Sequence, residues 1–141
     1  MKSVSQRPSP TTWTCEVRTQ EGRLPDLKVM AQRVREVSSQ FSLRGVEATV
    51  NGQLVKEQGQ LQLRLSAGGE ALRLIPLRRK VQWNPQTKQA YPATRQELTA
   101  YRSLAAHWQG KPFRVQVTGP LEVSETGAPL RLEVRAFRPN P

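Results

Sequence analysis

Apolar residues recur along this chain in two different periods, and the change between them divides it into elements. From Leu27 to Phe41 the apolar positions are three or four residues apart, which is the spacing of one helix face. Pro25 and Asp26 come directly before, where such residues favour a helix start. The sequence therefore predicts a helix here, preceded by a short strand at residues 13–19.

Beyond this helix the period becomes two, which is typical of β-strands. Apolar residues alternate with polar ones at residues 46–50 and again at residues 60–65, and a turn containing Gly59 lies between the two runs. The SAGGE segment then predicts a second turn, followed by a third strand at residues 71–77. Three consecutive strands are expected in this part of the chain.

A second helix is predicted next, because Thr94 and Glu97 have the spacing of a capping box. Gly110 and Pro112 end this helix. The residues expected along its apolar side are Leu98, Tyr101, Leu104, Ala105 and Trp108.

The period of two returns at residues 113–117 and 130–134, which predicts two final strands. The segments ATVNGQLV and VQVTGPLEV share the order Val-polar-Gly-polar-Leu when Gly52 is aligned with Gly119. A glycine inside a strand commonly marks a bulge or a sharp bend, as at a barrel corner. Either the two segments bend in the same way, or two hairpins merely look alike; both interpretations stay open.

From residue 45 onward the expected order is three strands, a helix and two strands. This order, with its glycine-containing first and fourth strands, resembles the OB-fold, a five-stranded Greek-key barrel. The resemblance covers residues 45–138, concerns topology and includes no family signature. It implies a mainly β protein with two helices: an OB-like barrel with a helix between strands three and four, plus an N-terminal strand-helix extension. A ferredoxin-like fold is the alternative, in which the strand at residues 13–19 pairs with later strands and one strand is surplus.

A chain of 141 residues is long enough for one hydrophobic core. The Ser- and Pro-rich residues 1–11 have no apolar period and are expected to form a flexible arm. Residues 12–42 then form the extension and residues 43–139 the barrel domain.

Basic residues exceed acidic ones, and the net charge is +11. Residues 71–121 hold nine Lys or Arg and one acid, Glu97, so this segment alone carries +8. Such a surface attracts nucleic acid, anionic membranes or acidic proteins. A solvated basic surface without a ligand is the alternative, but the clustering favours a binding role.

The OB-fold resemblance implies where a ligand would lie, since OB-folds bind across strands two and three and between loops. Carried over to this sequence, the strand face comprises Arg64, Arg73, Arg114, Arg131 and Arg135, together with Gln60, Gln62 and Gln116. Arg and Gln side chains can contact phosphates and base edges, and guanidinium planes can stack on bases.

The connection between the third strand and the second helix, LRRKVQWNPQTKQAY, adds both charges and aromatics. Its candidate ligand contacts are Arg78, Arg79, Lys80, Trp83, Lys88 and Tyr91. The strand face has no aromatic residue, and stacking on aromatics contributes about 1–3 kcal/mol per base. Trp83 and Tyr91 would supply that platform if both are exposed. In the alternative, slightly favoured for a Trp, Trp83 packs under the barrel and Tyr91 packs against the helix start.

Enzymatic chemistry has little support, because the chain contains one His and one Asp. His107 is expected at the surface or partly packed, and pairing it with Cys15 would leave no third orienting group. A single cysteine cannot form an intrachain disulfide, so Cys15 is expected to be buried. No metal-ligand spacing, P-loop or G-x-G-x-x-G is present. The sequence predicts a protein that is not an enzyme and has no cofactor.

The sequence lacks the apolar run of a signal peptide or membrane span, which favours a cytoplasmic protein. Our leading hypothesis is a nucleic-acid-binding module for single-stranded or structured RNA or DNA. The alternative is an accessory subunit that docks on an acidic protein partner, using the N-terminal arm and first helix. A lipid-surface domain is a third, weaker hypothesis. DNA or RNA preference and oligomeric state stay open.

Overall fold

A computed structural model describes residues 4–8, 13–17, 27–37, 45–65, 71–84, 86–123 and 129–139. The helices are α1 (Leu27–Val37) and α2 (Arg95–Ala106). The strands are β1 (Val4–Pro8), β2 (Trp13–Val17), β3 (Glu47–Glu57), β4 (Gln60–Arg64), β5 (Ala71–Pro76), β6 (Trp83–Asn84), β7 (Gln89–Ala90), β8 (Phe113–Val123), β9 (Pro129–Val134) and β10 (Ala136–Pro139).

Five strands close on themselves. β3, β4 and β5 form an antiparallel meander, β5 pairs with β9 in parallel, and β8 pairs with both β9 and β3 to complete the circle. The predicted fold class is thereby confirmed: a mainly β protein with an OB-like barrel and α2 between its third and fourth strands. β2 pairs with β1 in a separate sheet, not with a barrel strand as the ferredoxin-like alternative requires.

The barrel interior is filled by the apolar residues that alternate along each strand. Leu54, Leu63 and Leu72 lie in register across β3, β4 and β5, and all three are fully or almost fully buried. Leu104 of α2 is fully buried against this core. Burial of one such side chain contributes about 1.5–3 kcal/mol. Because the period is two, the polar residues between these leucines point outward.

Gly52 and Gly119 lie where strands change partners. β3 pairs with β8 up to Leu54 and with β4 from Gln53, so Gly52 stands at the changeover. A Cβ there would lie 2.5 Å from the carbonyl oxygen of Arg64, and one at Gly119 would overlap the carbonyl oxygen of Glu133. At its glycine, each of the two segments that share the glycine pattern is therefore pressed against the backbone of a neighbouring strand.

Several features differ from expectation. Val4–Pro8, expected in a flexible arm, forms a strand paired with Trp13–Val17. Leu98, expected on the buried side of α2, is 55% exposed because the barrel contacts the face that carries Ala100 and Leu104. The connection after β5 contains a small ribbon of β6 and β7, and the chain continues past β9 into β10.

Ala105 is also exposed, whereas Tyr101 and Trp108 pack against the core as expected. The predicted first helix is confirmed as α1, but Pro25, Asp26, Phe41 and the side chain of Cys15 lie outside the described residues. In the part of the chain described, neither helix combines the length and apolarity needed to cross a bilayer.

Candidate functional site

Two hydrogen bonds from backbone N–H groups attach the chain to a side chain of β9 just after it leaves β5. Leu77 is buried, and the next two backbone N–H groups, of Arg78 and Arg79, donate to Glu133 Oε1 at 2.6 and 3.4 Å. Glu133 alternates with two core residues of β9 and is itself buried, so these hydrogen bonds satisfy a carboxylate that has little access to water. The start of the connection is thereby held on the outside of the barrel.

The β6–β7 ribbon gives the rest of the connection a defined shape. The backbone N–H of Lys88 donates to the carbonyl of Asn84 at 2.9 Å, and that of Tyr91 donates to Gln82, also at 2.9 Å. Lys88 has a positive φ of 57°, which costs a residue with a Cβ roughly 1–2 kcal/mol. The ribbon orients Lys88 and Tyr91 towards solvent, and both side chains are exposed.

An open depression of about 550 Å³ lies between this ribbon and the start of α2. Tyr91 is 45% exposed at its rim, whereas Trp83 is partly buried in its wall. The full lining comprises Arg78, Arg79, Lys80, Trp83, Lys88, Gln89, Ala90, Tyr91, Pro92, Ala93 and Leu98. The depression thus combines an apolar, aromatic surface with basic side chains. Trp83 is neither fully exposed, as in the prediction of a stacking platform, nor fully buried, as in the alternative in which it packs under the barrel.

Lys80, which lines the depression, belongs to an ion-pair cluster that also contains Arg135. Lys80 Nζ lies 3.2 Å from Glu97 Oε1, and Arg135 contacts Glu97 at 3.0 Å and Glu47 through two contacts of 2.7 Å. The backbone N–H of Thr94 lowers the pKa of Glu97 to about 2, helped by Arg135 and Lys80 and opposed by burial. Hydrogen bonding to Glu47 raises the pKa of Arg135. These two cations are neutralised by carboxylates and are largely removed from solvent.

Glu122 of β8 is another carboxylate that pairs with two of the predicted ligand contacts. It forms ion pairs with Arg131 and, at 2.7 Å, with Arg78. The hydrogen bond from Arg131 lowers the pKa of Glu122, and the same bond raises the pKa of Arg131. Arg78 also lies 3.5 Å from Glu133 and remains 58% exposed. One carboxylate thus offsets part of the charge of two predicted ligand contacts.

Gln62, Arg73 and Arg131 stand side by side on the outer face of β4, β5 and β9. The strand register aligns Gln62 with Arg73 and Arg73 with Arg131. Arg64, two residues after Gln62, faces the same way and contacts Glu57 at 3.3 Å. Both members of that pair are exposed, so it contributes only about 0–1 kcal/mol and leaves Arg64 accessible.

The predicted cations therefore divide into two groups. Carboxylates contact Lys80, Arg135, Arg131 and Arg78, and also Arg64 through its exposed pair with Glu57. Within the described parts of the chain, no carboxylate forms an ion pair with the other exposed cations of the prediction, which are Arg73, Arg79, Lys88 and Arg114.

The apolar part of the depression was not foreseen. Pro92 and Ala93 precede the cap of α2, and Leu98 was expected in the core because its spacing fits the apolar stripe. The spacing of apolar residues identifies one face of a helix, but it does not show how much of that face the barrel covers. Leu98 lies in the first turn, outside the barrel contact, and so lines the depression instead.

His107 is held by local contacts at the other end of α2. Its Nδ1 lies 2.8 Å from the carbonyl oxygen of Ser103, and its ring meets that of Phe137 edge to face at 5.2 Å. No group of three or more His, Cys, Asp or Glu residues suited to a metal ion occurs among the described residues. No family model matches this chain, and neither the curated proteins nor the solved structures contain a match.

Proposed function

We propose that this protein is a non-enzymatic, cytoplasmic nucleic-acid-binding module that uses the outer strand face and the connection of residues 78–91. One observation carries the proposal: Arg79 and Lys88, cations without a carboxylate partner among the described residues, stand with exposed Tyr91 around an open depression. A nucleotide offers the complementary parts, a phosphate for the cations and a base for the aromatic ring.

The carboxylates near this depression strengthen the proposal. Glu97, Glu122 and Glu133 are each bonded to Arg, Lys or backbone N–H groups. An approaching phosphate therefore meets carboxylates whose charge is already offset, and the excess charge of the segment remains positive. The pairing of Arg78 and Lys80 leaves Arg79 and Lys88 as the principal phosphate contacts of the connection.

The strand face extends the proposed path away from the depression. Arg73 is exposed between Gln62 and Arg131, and Arg64 follows on the same side of β4. These residues lie on the second and third barrel strands and on the strand beside them, where OB-folds bind their ligands. Guanidinium groups there can bind phosphates, and the Gln amide can bind base edges.

The proposal is tested by fluorescence anisotropy with single-stranded DNA and RNA oligonucleotides over a series of salt concentrations from about 50 mM upward. We expect the R79A/K88A variant to bind every sequence more weakly and to reduce the salt slope by about 1.4, since each phosphate contact contributes about 0.7 for single strands. The charge-matched control is K56A/R102A, which removes two exposed cations outside the proposed path.

Equal losses for the two variants would show that only total charge matters and would contradict the proposed site. Wild-type protein that binds no oligonucleotide at about 50 mM salt would refute the function itself, since low salt favours this binding most. The basic surface would then be assigned to an acidic protein partner.

A further inference from the structure

Arg114 and Gln116, which the sequence placed in the strand face, lie with three further polar residues on the outward side of β10, β8 and β3. We call this part of the surface the amide ladder, and its members are Asn51, Gln53, Arg114, Gln116 and Arg138. In the strand register, Arg138 is opposite Gln116 and Gln116 is opposite Asn51, so these three form one row. Arg114 is opposite Gln53 in the next row. Four of the five side chains are exposed and Gln116 is partly so.

Hydrogen bonds within the ladder run in one direction. Arg138 Nη2 donates to Gln116 Oε1 at 3.4 Å, and Gln116 Nε2 donates to Asn51 Oδ1 at 3.2 Å. One protein donor thus already engages the amide oxygen of Gln116, and another engages that of Asn51. Most of what the ladder presents to a ligand is donors: the NH2 groups of Asn51 and Gln53 and the guanidinium groups of Arg114 and Arg138.

The positive charge of the ladder also favours a ligand rich in acceptors. Among the described residues, no carboxylate forms an ion pair with Arg114 or Arg138. On the ladder side of β3, the nearest acid before Asn51 is Glu47, which is engaged by Arg135. A surface that offers donors and positive charge suits a ligand rich in acceptors and negative charge, and a phosphodiester backbone has both properties.

The ladder is continuous with the rest of the strand face, on β4, β5 and β9. Gln53 on β3 lies between Arg114 on β8 and Arg64 on β4. Arg64 shares its side of β4 with Gln62, which is in register with Arg73. Outward polar side chains therefore run from the ladder across β4 and β5 towards the depression without a break between strands.

We propose that the amide ladder is a second contact for the same nucleic-acid strand, one that holds its backbone after it has crossed β4. This inference rests on the proposed function and names the form of its ligand as single-stranded. The path follows the curved wall of a small barrel, and duplex DNA, with a persistence length of about 150 base pairs, is too stiff to follow it. A flexible single strand can follow that curve, and longer strands gain contacts that short ones lack.

The test compares oligonucleotides of about 6 and about 18 nucleotides, which bracket most of the range of about 4–16 nucleotides bound by one OB-fold. We expect the R114A/R138A variant to lose on the order of tenfold in affinity for the longer strand and about 1.4 in salt slope, and to bind the shorter strand as the wild type does. N51D, which adds a negative charge to the ladder, should act in the same direction. The K56A/R102A variant serves as the charge-matched control.

Circular dichroism and thermal unfolding would establish that each variant is folded. If R114A/R138A and K56A/R102A lose affinity equally, or if the ladder variant loses it equally for both lengths, the ladder is not a separate contact. If the short strand binds and depends on Arg79 and Lys88 while the ladder variants have no effect, this inference fails and the proposed function stands. If the wild type binds neither strand, both fail together.

Discussion

Glu97 Oε2 accepts a hydrogen bond from Arg135 Nη1 at 3.0 Å, which fastens the first turn of α2 to the bend between β9 and β10. Its other oxygen, Oε1, accepts from the backbone N–H of Thr94 at 2.9 Å and from Lys80 at 3.2 Å. A single carboxylate therefore joins the helix cap, the connection and the barrel. The one acid of the strongly basic segment therefore has a structural role and contacts Lys80, which lines the depression.

Replacing Glu97 by Gln should destabilise the protein by about 1–2 kcal/mol, because the capping box and two charge-assisted contacts are weakened together. Urea unfolding measures this change. Glu57→Gln is the matched control, since its pair with Arg64 is exposed and should contribute less than about 1 kcal/mol. Similar effects of the two substitutions would show that the Glu97 junction adds no special stability.

The stabilisation from Glu97 should depend on pH in the acid range. Its pKa is about 2 in the folded protein against an ordinary value of 4.5, so the unfolded chain takes up the proton first as pH falls. The contribution is fully present above about pH 4.5 and is lost progressively towards pH 2. Unfolding curves across this range should show a smaller decline for Glu97→Gln than for the wild type. Parallel declines would contradict this role.

Gly119→Ala should destabilise the barrel by about 3 kcal/mol or more, because the added Cβ overlaps the backbone of Glu133. A flexible side chain could move aside, but a paired strand cannot. Gly59→Ala provides the comparison: its φ of 78° disfavours a Cβ, yet no atom lies close, so a loss of about 1–2 kcal/mol is expected. Thermal unfolding distinguishes the two, and an equal or smaller effect at Gly119 would contradict the close approach of the strands.

Tyr91→Ala should weaken single-strand binding by about 1–3 kcal/mol, the contribution of one stacked base. Tyr91→Phe retains the ring and should bind almost as tightly as the wild type. Stability should change little in either variant, since Tyr91 is nearly half exposed. Anisotropy titrations provide the affinities. Equal loss in both variants would assign the effect to the hydroxyl group and not to stacking.

Lys80→Ala and Lys88→Ala should have opposite consequences although both remove one lysine from the same connection. Lys80 is only 14% exposed and contacts Glu97, so its loss should lower the free energy of unfolding by about 1 kcal/mol with little effect on binding. Lys88 is exposed at the depression, so its loss should lower affinity with little effect on stability. Binding losses of equal size would show that burial of Lys80 does not remove it from the ligand path.

Local patterns were sufficient for most elements of this fold. The period of two placed the five barrel strands, and Thr94 and Glu97 marked the start of α2 through a capping box that the structure contains. These features depend on residues close together in the chain, so sequence spacing reports them directly. The glycines at positions 52 and 119 likewise marked two places where the backbone of a neighbouring strand leaves no room for a Cβ.

The nature of the candidate site was decided by contacts between distant residues. Arg135 and Lys80 appeared in the sequence as candidate ligand contacts, yet each meets a carboxylate that only the closed barrel and docked helix bring near. Leu98 has the spacing of a core residue but lies beyond the barrel contact and lines the depression. The sequence by itself determined the strands, the helices and the excess of positive charge. Tertiary structure decided which of those charges are neutralised and which face solvent, because ion pairing depends on distance in space and not on separation along the chain.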